Sequence, residues 1–310
     1  MAAIYQKFNE FLLATTVLNR LNAHLMVNRH AASLWLNEPS ARLRVTAVPA
    51  FADNYIWLIH SPILPEQVVA VDPGDAGPVQ KSLRNAGLKL GAILITHHHA
   101  DHVGGVEELV RQHNVPVFGP IGEFSPGNPE RVGDGQVVRL HELGLEFTVL
   151  EIPGHTKGHI AYVGHGALFC GDTLFSAGCG RLFEGTAQQM SNSLGKLGIL
   201  PGNTQVYCGH EYTLSNLSFA SVVEPDNRDI QEHIKLAGSL RERGSPTLPS
   251  CIELESKINP FLRLGTETVK RAAAQYAGHM LNSESEIFAA LRDWKDHFRP
   301  SPSNAGTVPA

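Results

Sequence analysis

Thr96-His97-His98-His99-Ala100-Asp101-His102-Val103-Gly104-Gly105 stands directly behind the apolar run 92–95. A run of that kind reads as a strand, so the segment after it lies at a sheet edge, where a loop can present side chains to a cleft. If the segment stays extended, residues two apart share a face. His97, His99 and Asp101 then converge, His98 points away, and His102 can face a second centre. Gly104-Gly105 would let the backbone pass close to bound ions with no Cβ in the way. One metal takes about three or four protein ligands, so four ligand-type side chains within six residues, with more downstream, point to two ions.

The downstream candidates share one context. Pro153-Gly154-His155-Thr156, Gly171-Asp172-Thr173 and Gly209-His210-Glu211 each set a ligand-type residue beside glycine at the end of an apolar run. Short runs at 45–48, 55–59, 68–71, 92–95, 115–118, 137–140, 145–150, 160–163 and 167–170 are bounded by Gly, Pro, Asp or Asn and read as strands. Helical spacing is interspersed at 76–86, 103–113 and 187–197. After about His210 the texture changes: Ile230, Ile234, Ala237 and Leu240, then Ile287, Leu291 and Trp294, recur at helical spacing. The expected organisation is a mixed α/β domain over 44–210, a helical region over 211–300 broken at 244–249 and 259–260, and a polar, disordered tail over 301–310.

With 310 residues and 43% apolar content, the chain can bury a sizeable core. Its 25 Lys+Arg against 30 Asp+Glu form no basic stripe, which argues against nucleic acid as a partner. No apolar run approaches the roughly 20 residues of a spanning helix, so no membrane association is expected. The 16 histidines are an unusual number, and imidazole is the commonest protein ligand for transition metals. His24, His30, His113, His141, His165, His233 and His297 lie outside the ligand pattern, and His159 reads as structural. Cys170, Cys179, Cys208 and Cys251 show no C-x-x-C spacing and read as buried, reduced thiols, which fits a cytoplasmic location. Residues 1–43 carry Ile4, Phe8, Phe11, Leu12, Leu18, Leu21 and Leu25 at helical spacing, with few acids. They read as an extension ahead of the folded domain, with a mitochondrial transit peptide as the alternative.

T-H-x-H-x-D-H followed by G-H-T, G-D-T and G-H-E resembles the metallo-β-lactamase superfamily. Within it, the stretch from Gly171 to Arg181 and Tyr207-Cys208-Gly209-His210-Glu211-Tyr212-Thr213 resemble glyoxalase II, the hydroxyacylglutathione hydrolases. The resemblance runs from about Val45 to Phe298 and implies an αββα sandwich followed by an all-helical glutathione-binding domain. It implies that His97, His99 and His155 hold one metal, that Asp101, His102 and His210 hold the other, and that Asp172 bridges them. Asp101 and Asp172 are the candidate catalytic carboxylates. Asp72, in Val71-Asp72-Pro73-Gly74, is expected to orient a ligand histidine by a hydrogen bond. For glutathione the resemblance implies Arg181, Phe183, Tyr212, Arg292 and Lys295. Phe183 lacks the hydroxyl of the Tyr that some members carry there.

The implied reaction is hydrolysis of S-(2-hydroxyacyl)glutathione, chiefly S-D-lactoylglutathione, to glutathione and D-lactate by a hydroxide held on two divalent ions. Zinc is the expected ion, with iron or manganese as alternatives. A monomer acting on a small-molecule glutathione thioester is expected. The competing reading is a mono-iron oxidoreductase of the persulfide dioxygenase type. The filled second ligand set argues against it.

Overall fold

The structure is a computed structural model and describes residues 43–299. The tail at 301–310 and residues 1–42 of the expected extension, with the targeting alternative attached to it, lie outside the described residues.

The first of two six-stranded sheets contains β1 (Val45–Ala50), β2 (Asn54–His60), β3 (Gln67–Val71), β4 (Lys89–Leu94), β5 (Val117–Pro120) and β6 (Glu130–Val132), in that order. β1, β2 and β3 pair antiparallel, whereas β3 to β6 pair parallel. Parallel neighbours need crossover connections. α1 (Ala76–Ala86) crosses from β3 to β4, and α2 (Ala100–Val103) with α3 (Val106–His113) crosses from β4 to β5. Ile56, Leu58, Val68, Ala70 and Ile93 form one face of this sheet and pack under Val79 and Leu83 of α1 and Val106 and Leu109 of α3. The alternate residues of β2 and β3 are buried as well, as strands covered on both faces must be.

The second sheet contains β7 (Val137–Leu140), β8 (Leu145–Glu151), β9 (Ile160–Gly164) and β10 (Ala167–Gly171). After a two-strand hairpin of β11 (Leu174–Phe175) and β12 (Gly178–Cys179), and after α4 (Ala187–Gly198), it is completed by β13 (Gln205–Cys208) and β14 (Ser250–Cys251). The sheet order is β14-β13-β10-β9-β8-β7. The sheets meet where the Trp57 indole donates to the Cys208 carbonyl at 2.9 Å and where the Tyr162 hydroxyl donates to the Ile95 carbonyl at 2.9 Å. α4 starts in a Thr186/Gln189 capping box and is tied to the end of β8 by Ser193 Oγ donating to the Pro153 carbonyl. The layers therefore run helix, sheet, sheet, helix.

Beyond residue 212 lie α5 (Thr213–Val223), α6 (Arg228–Glu242), α7 (Ile252–Ile258), α8 (Glu267–Ala277) and α9 (Glu284–His297). Leu217, Ala220, Ile230, Ala237 and Ile258 pack around Ala177 of the β11–β12 turn. That turn is held from the helical side by Asn259 Nδ2, which donates to the Phe175 and Gly178 carbonyls. The helical region also lends β14 to the edge of the second sheet, antiparallel to β13.

Two local expectations change. The helix expected over 103–113 is broken, because Gly104 and Gly105 turn the chain between α2 and α3. These glycines do allow a close approach, but it is to the loop after β3. A Cβ on Gly105 would sit 2.5 Å from the Ala76 nitrogen and 2.6 Å from the Pro73 oxygen. They press α2 against the strand end that carries Asp72. The short strands β6, β11, β12 and β14 carry too few residues to show a period of two in the sequence.

Candidate metal centre

Every candidate ligand follows the C-terminal end of a strand on one edge of the sandwich. His97 and His99 follow β4, Asp101 and His102 lie on α2 beyond them, His155 follows β8, Asp172 follows β10, and His210 follows β13. β10 and β13 are parallel neighbours, and Gly209 N donates to the Gly171 carbonyl at 2.9 Å, which brings Asp172 and His210 side by side.

The seven residues form two clusters with one residue between them. His97, His99 and His155 converge, with His99 Nδ1 lying 3.2 Å from His97 Nε2 and 3.0 Å from His155 Nε2. Asp101, His102 and His210 form the second group, with Asp101 Oδ2 lying 3.5 Å from His102 Nε2 and 3.4 Å from His210 Nε2. Asp172 reaches both: its Oδ1 is 3.4 Å from His102 Nε2, and its Oδ2 is 3.1 Å from His210 Nε2 and 3.6 Å from His155 Nε2. Strand alternation grouped Asp101 with His97 and His99, and here the structure departs from it. The chain leaves the extended conformation at Ala100 and enters α2, so Asp101 turns towards His102 and His210. His98 points away, as alternation requires, and pairs with Glu123 at 2.8 Å and Glu184 at 3.2 Å.

The outward hydrogen bonds fix the ring tautomers. Carboxylate and carbonyl oxygens only accept, so His102 Nδ1 donates to Asp72 (3.0 Å), His210 Nδ1 to Asp53 (2.8 Å) and His155 Nδ1 to the Arg181 carbonyl (2.9 Å). Thr96 Oγ1 spends its proton on Asp72 at 2.6 Å and so accepts from His97 Nδ1 at 3.0 Å. Each of these four rings, when neutral, thus turns an unprotonated Nε2 inward, the arrangement that a metal ligand needs. His102 Nε2 and Asp172 Oδ1 are buried without a hydrogen-bond partner among the described residues. Ligand nitrogens about 2.0–2.1 Å from one tetrahedral ion stand roughly 3.3 Å apart. The spacing in the all-histidine cluster is close to that, and a divalent ion in each cluster fits the donors present.

Burial lowers the pKa of His97, His99 and His155, holding them neutral. For His210 burial also disfavours the charge, but hydrogen bonds to Asp101 and Asp172 outweigh it and raise the ring to about 10. His102 is likewise raised despite burial, by Asp172 and then Asp72. The hydrogen bond from His210 holds Asp101 well below the usual carboxylate range. Asp172 is buried, yet His102 and His210 keep it ionised.

Asp72 carries more than one ligand. It grips Thr96 through the backbone N–H at 2.7 Å and the hydroxyl, while holding His102, all from a left-handed backbone at φ 50°. His159 is fully buried; its Nε2 accepts from the Asp172 backbone N–H at 3.1 Å and its Nδ1 donates to the Ile160 carbonyl, so it braces a ligand and is not one itself.

A cavity of about 470 Å³ opens beside the clusters, between the β11–β12 region and α5 and α9. His155 and Asp172 are among its lining residues, and so are all five expected glutathione residues. Arg181 is largely exposed and lies 3.5 Å from Asp296. The Phe183 ring stands edge-on to His155 at 5.2 Å and to His99 at 5.5 Å. Tyr212 stacks flat on His210 at 4.7 Å, and its hydroxyl makes no hydrogen bond within the described residues. Arg292 is buried, with its guanidinium donating to the Cys179 carbonyl and to Asp296, while its Nε has no partner among the described residues. Lys295 donates to the Ser215 carbonyl at 2.9 Å, and burial, with Arg292 nearby, lowers its pKa to about 8. A second cavity of about 450 Å³, lined by Glu224, Arg263 and Trp294, contains no member of either cluster.

Comparison with known proteins follows the same division of the chain. A model of the metallo-beta-lactamase superfamily matches residues 53–210, and a model of the hydroxyacylglutathione hydrolase C-terminus matches residues 211–298. The hydroxyacylglutathione hydrolase of Alkalilimnicola ehrlichii is 54% identical over 252 residues, covering 81% of this chain and 98% of its own length. That of Aliivibrio salmonicida is 54% identical over 257 residues, covering 83% and 100%. The chain belongs to the hydroxyacylglutathione hydrolase (glyoxalase II) family. Among solved structures, ETHE1 from Myxococcus xanthus is similar at 26% identity with a TM-score of 0.57, covering 84% of this chain and 93% of that one. TTHA1623, solved in a di-iron-bound form, is 26% identical with a TM-score of 0.50, covering 71% of this chain and all of that one.

Three contributors to this hydroxyacylglutathione hydrolase centre escaped the sequence reading. Asp53 orients His210, Asn54 Nδ2 donates to Asp101 at 2.9 Å, and Glu211 accepts from Tyr55 and from Thr247, bracing the loop that carries His210. The only signal for the first two is a polar Asp-Asn pair at the start of the buried strand β2, which a turn explains equally well.

Proposed function

We propose that the chain hydrolyses S-(2-hydroxyacyl)glutathione, chiefly S-D-lactoylglutathione, to glutathione and D-lactate, the second step of methylglyoxal detoxification. The observation that carries this reading is one cavity lined both by His155 and Asp172 and by Arg181, Arg292 and Lys295. Glutathione is an anion with two carboxylates, and a wall richer in Arg and Lys than in acid suits it. By this reading the helical region supplies Tyr212, Arg292 and Lys295 to the glutathione-binding wall.

Two divalent ions, zinc by this reading, would lower the pKa of a bound water and polarise the thioester carbonyl. The chain's own groups do the rest. Asp101 and Asp172, both held ionised, would hold the ions and could accept a hydrogen bond from the water they bind. Asp72, Asp53 and the Arg181 carbonyl keep the His102, His210 and His155 rings turned inward. Tyr212, stacked on His210, and Phe183, edge-on to His155, stand in the cavity wall beside the candidate ligands. Glutathione leaves as a thiolate, stable enough that no strong general acid is required.

Thioester loss followed by absorbance, with metal content measured on the same sample of purified protein, tests this. Cleavage of S-D-lactoylglutathione with two ions per chain is expected. Fully metallated protein that leaves the thioester intact would refute the assignment. A single iron with oxygen uptake on glutathione persulfide would move the chain to the oxidoreductase reading.

A further inference from the structure

Between β5 and β6 the chain runs from residue 121 to 129 without a helix or strand, yet it buries a carboxylate there, with the Glu123 side chain only 3% exposed. Each of its oxygens serves a different loop. Oε2 accepts from the His98 backbone N–H at 2.8 Å and pairs with His98 Nδ1 at 2.8 Å. Oε1 accepts from the Gly158 N–H at 2.9 Å and from the Thr156 hydroxyl. His98 lies between the ligands His97 and His99, and Thr156 follows the ligand His155, so one carboxylate stands a single residue away from all three members of the first cluster.

We propose that Glu123 is a positioning residue that clamps the 96–99 loop to the 155–158 loop and so sets the geometry of the His97/His99/His155 metal site. The inference rests on the two-metal reading above. Two oxygens of one carboxylate sit at a fixed separation, so neither loop can slide without breaking a charge-assisted hydrogen bond. The clamp is anchored in turn, because Arg131 donates to the Glu123 and Pro120 carbonyls. Gly158 is built around it: a Cβ there would sit 2.5 Å from Glu123 Cγ. The clamp also gives His98 a role, as the outward-facing anchor of the loop, held on its other nitrogen by Glu184. The second cluster takes no contact from Glu123, since Asp101, His102 and His210 depend on Asn54, Asp72 and Asp53.

The test is metal affinity by chelator competition on the full-length chain. A His210→Ala background isolates the first cluster, and a His97→Ala background isolates the second. Glu123→Ala is expected to weaken the first site by about tenfold or more, as loss of a ligand-orienting partner does elsewhere, and to leave the second unchanged. Thr156→Val, which removes one donor and keeps the carboxylate, is expected to weaken the first site by a smaller factor. Unchanged affinity at the first site, or parallel loss at both sites, overturns the proposal. If Glu123→Ala does not fold, Thr156→Val decides: unchanged first-site affinity then refutes the clamp. These readings need no turnover, so protein that binds two ions without cleaving the thioester would refute the function and leave the clamp standing.

Discussion

Gly209→Ala is the smallest change that tests whether the two clusters form one metal centre. The backbone of Gly209 lies outside the left-handed region, so alanine meets no conformational penalty and only space decides. A Cβ there would sit 2.5 Å from Asp172 Oδ1 and 2.7 Å from His102 Cε1, whereas ordinary contact begins at 3.4 Å. Asp172 must therefore give by about 0.9 Å and His102 by about 0.7 Å. Neither is free to do so, since Asp72 pins the His102 ring and His159 holds the backbone of Asp172. Metal–ligand distances tolerate about 0.2 Å. A displacement several times larger is expected to weaken the Asp101/His102/His210 site by about 100-fold or more, at a fold cost of about 1–3 kcal/mol from overpacking. Metal content after dialysis, thioester turnover and Tm, measured on one preparation, read these out. The expected result is one retained ion, turnover reduced by about the same factor, and a Tm only a few degrees lower. A variant with two ions and full turnover would show that the space beside Gly209 is not the inside of a metal site.

Three further outcomes follow from the same geometry. Asp72→Asn keeps a residue type that tolerates a left-handed backbone but loses the charge that holds His102 and Thr96; metal affinity should fall by about 10–100-fold in chelator competition, and an unchanged affinity would remove Asp72 from the centre. Lys295, lowered to about 8, is charged below that pH and neutral above it, so its attraction for anionic glutathione is present at pH 7 and lost as pH rises through 8 to 9. Because kcat/KM reports groups of the free enzyme, it should decline over that range in the native chain and stay flatter in Lys295→Arg; identical profiles would count against contact between Lys295 and substrate. Stripping the metals at pH 7 should draw protons from solution, because the freed His210 is held at about 10 and His102 is raised as well. Calorimetry in two buffers of different ionisation heat measures that uptake, and heats independent of the buffer would refute metal binding by His210 and His102.

The candidate ligands were legible before the fold because they follow apolar runs, and strand ends of a layered α/β sandwich gather on one edge. His155, Asp172 and His210 each stand beside a glycine at such an end, whereas His97, His99, Asp101 and His102 were legible as a dense cluster directly behind the run 92–95. The grouping of Asp101 was not legible from alternation, because alternation holds only while the chain stays extended, and α2 begins one residue earlier. The residues that orient the ligands were harder still. Asp72 could be read only through the family resemblance, because an Asp before Pro-Gly serves a turn equally well, and Asp53, Glu123 and Glu211 act across 157, 25 to 35 and 36 or more residues of sequence, where no local pattern marks them.

The substrate wall shows a subtler gap. Arg292 and Lys295 were legible as a basic pair on one helical face, and both do line the cavity. Their hydrogen bonds to Cys179 and Ser215 were invisible, because those partners come from β12 and from α5, whereas Asp296 stands four residues after Arg292 on the same helix. Those bonds divide the labour along the wall. Arg292, buried and hydrogen-bonded to β12, fixes where α9 sits against the β11–β12 region, so its removal should cost stability as well as affinity. Arg181, largely exposed with one distant acid at 3.5 Å, has little to lose on folding and its donors free for an incoming carboxylate. Arg181→Ala is therefore expected to raise KM with Tm unchanged, while Arg292→Ala raises KM and lowers Tm together. Equal thermal losses in the two variants would refute that division.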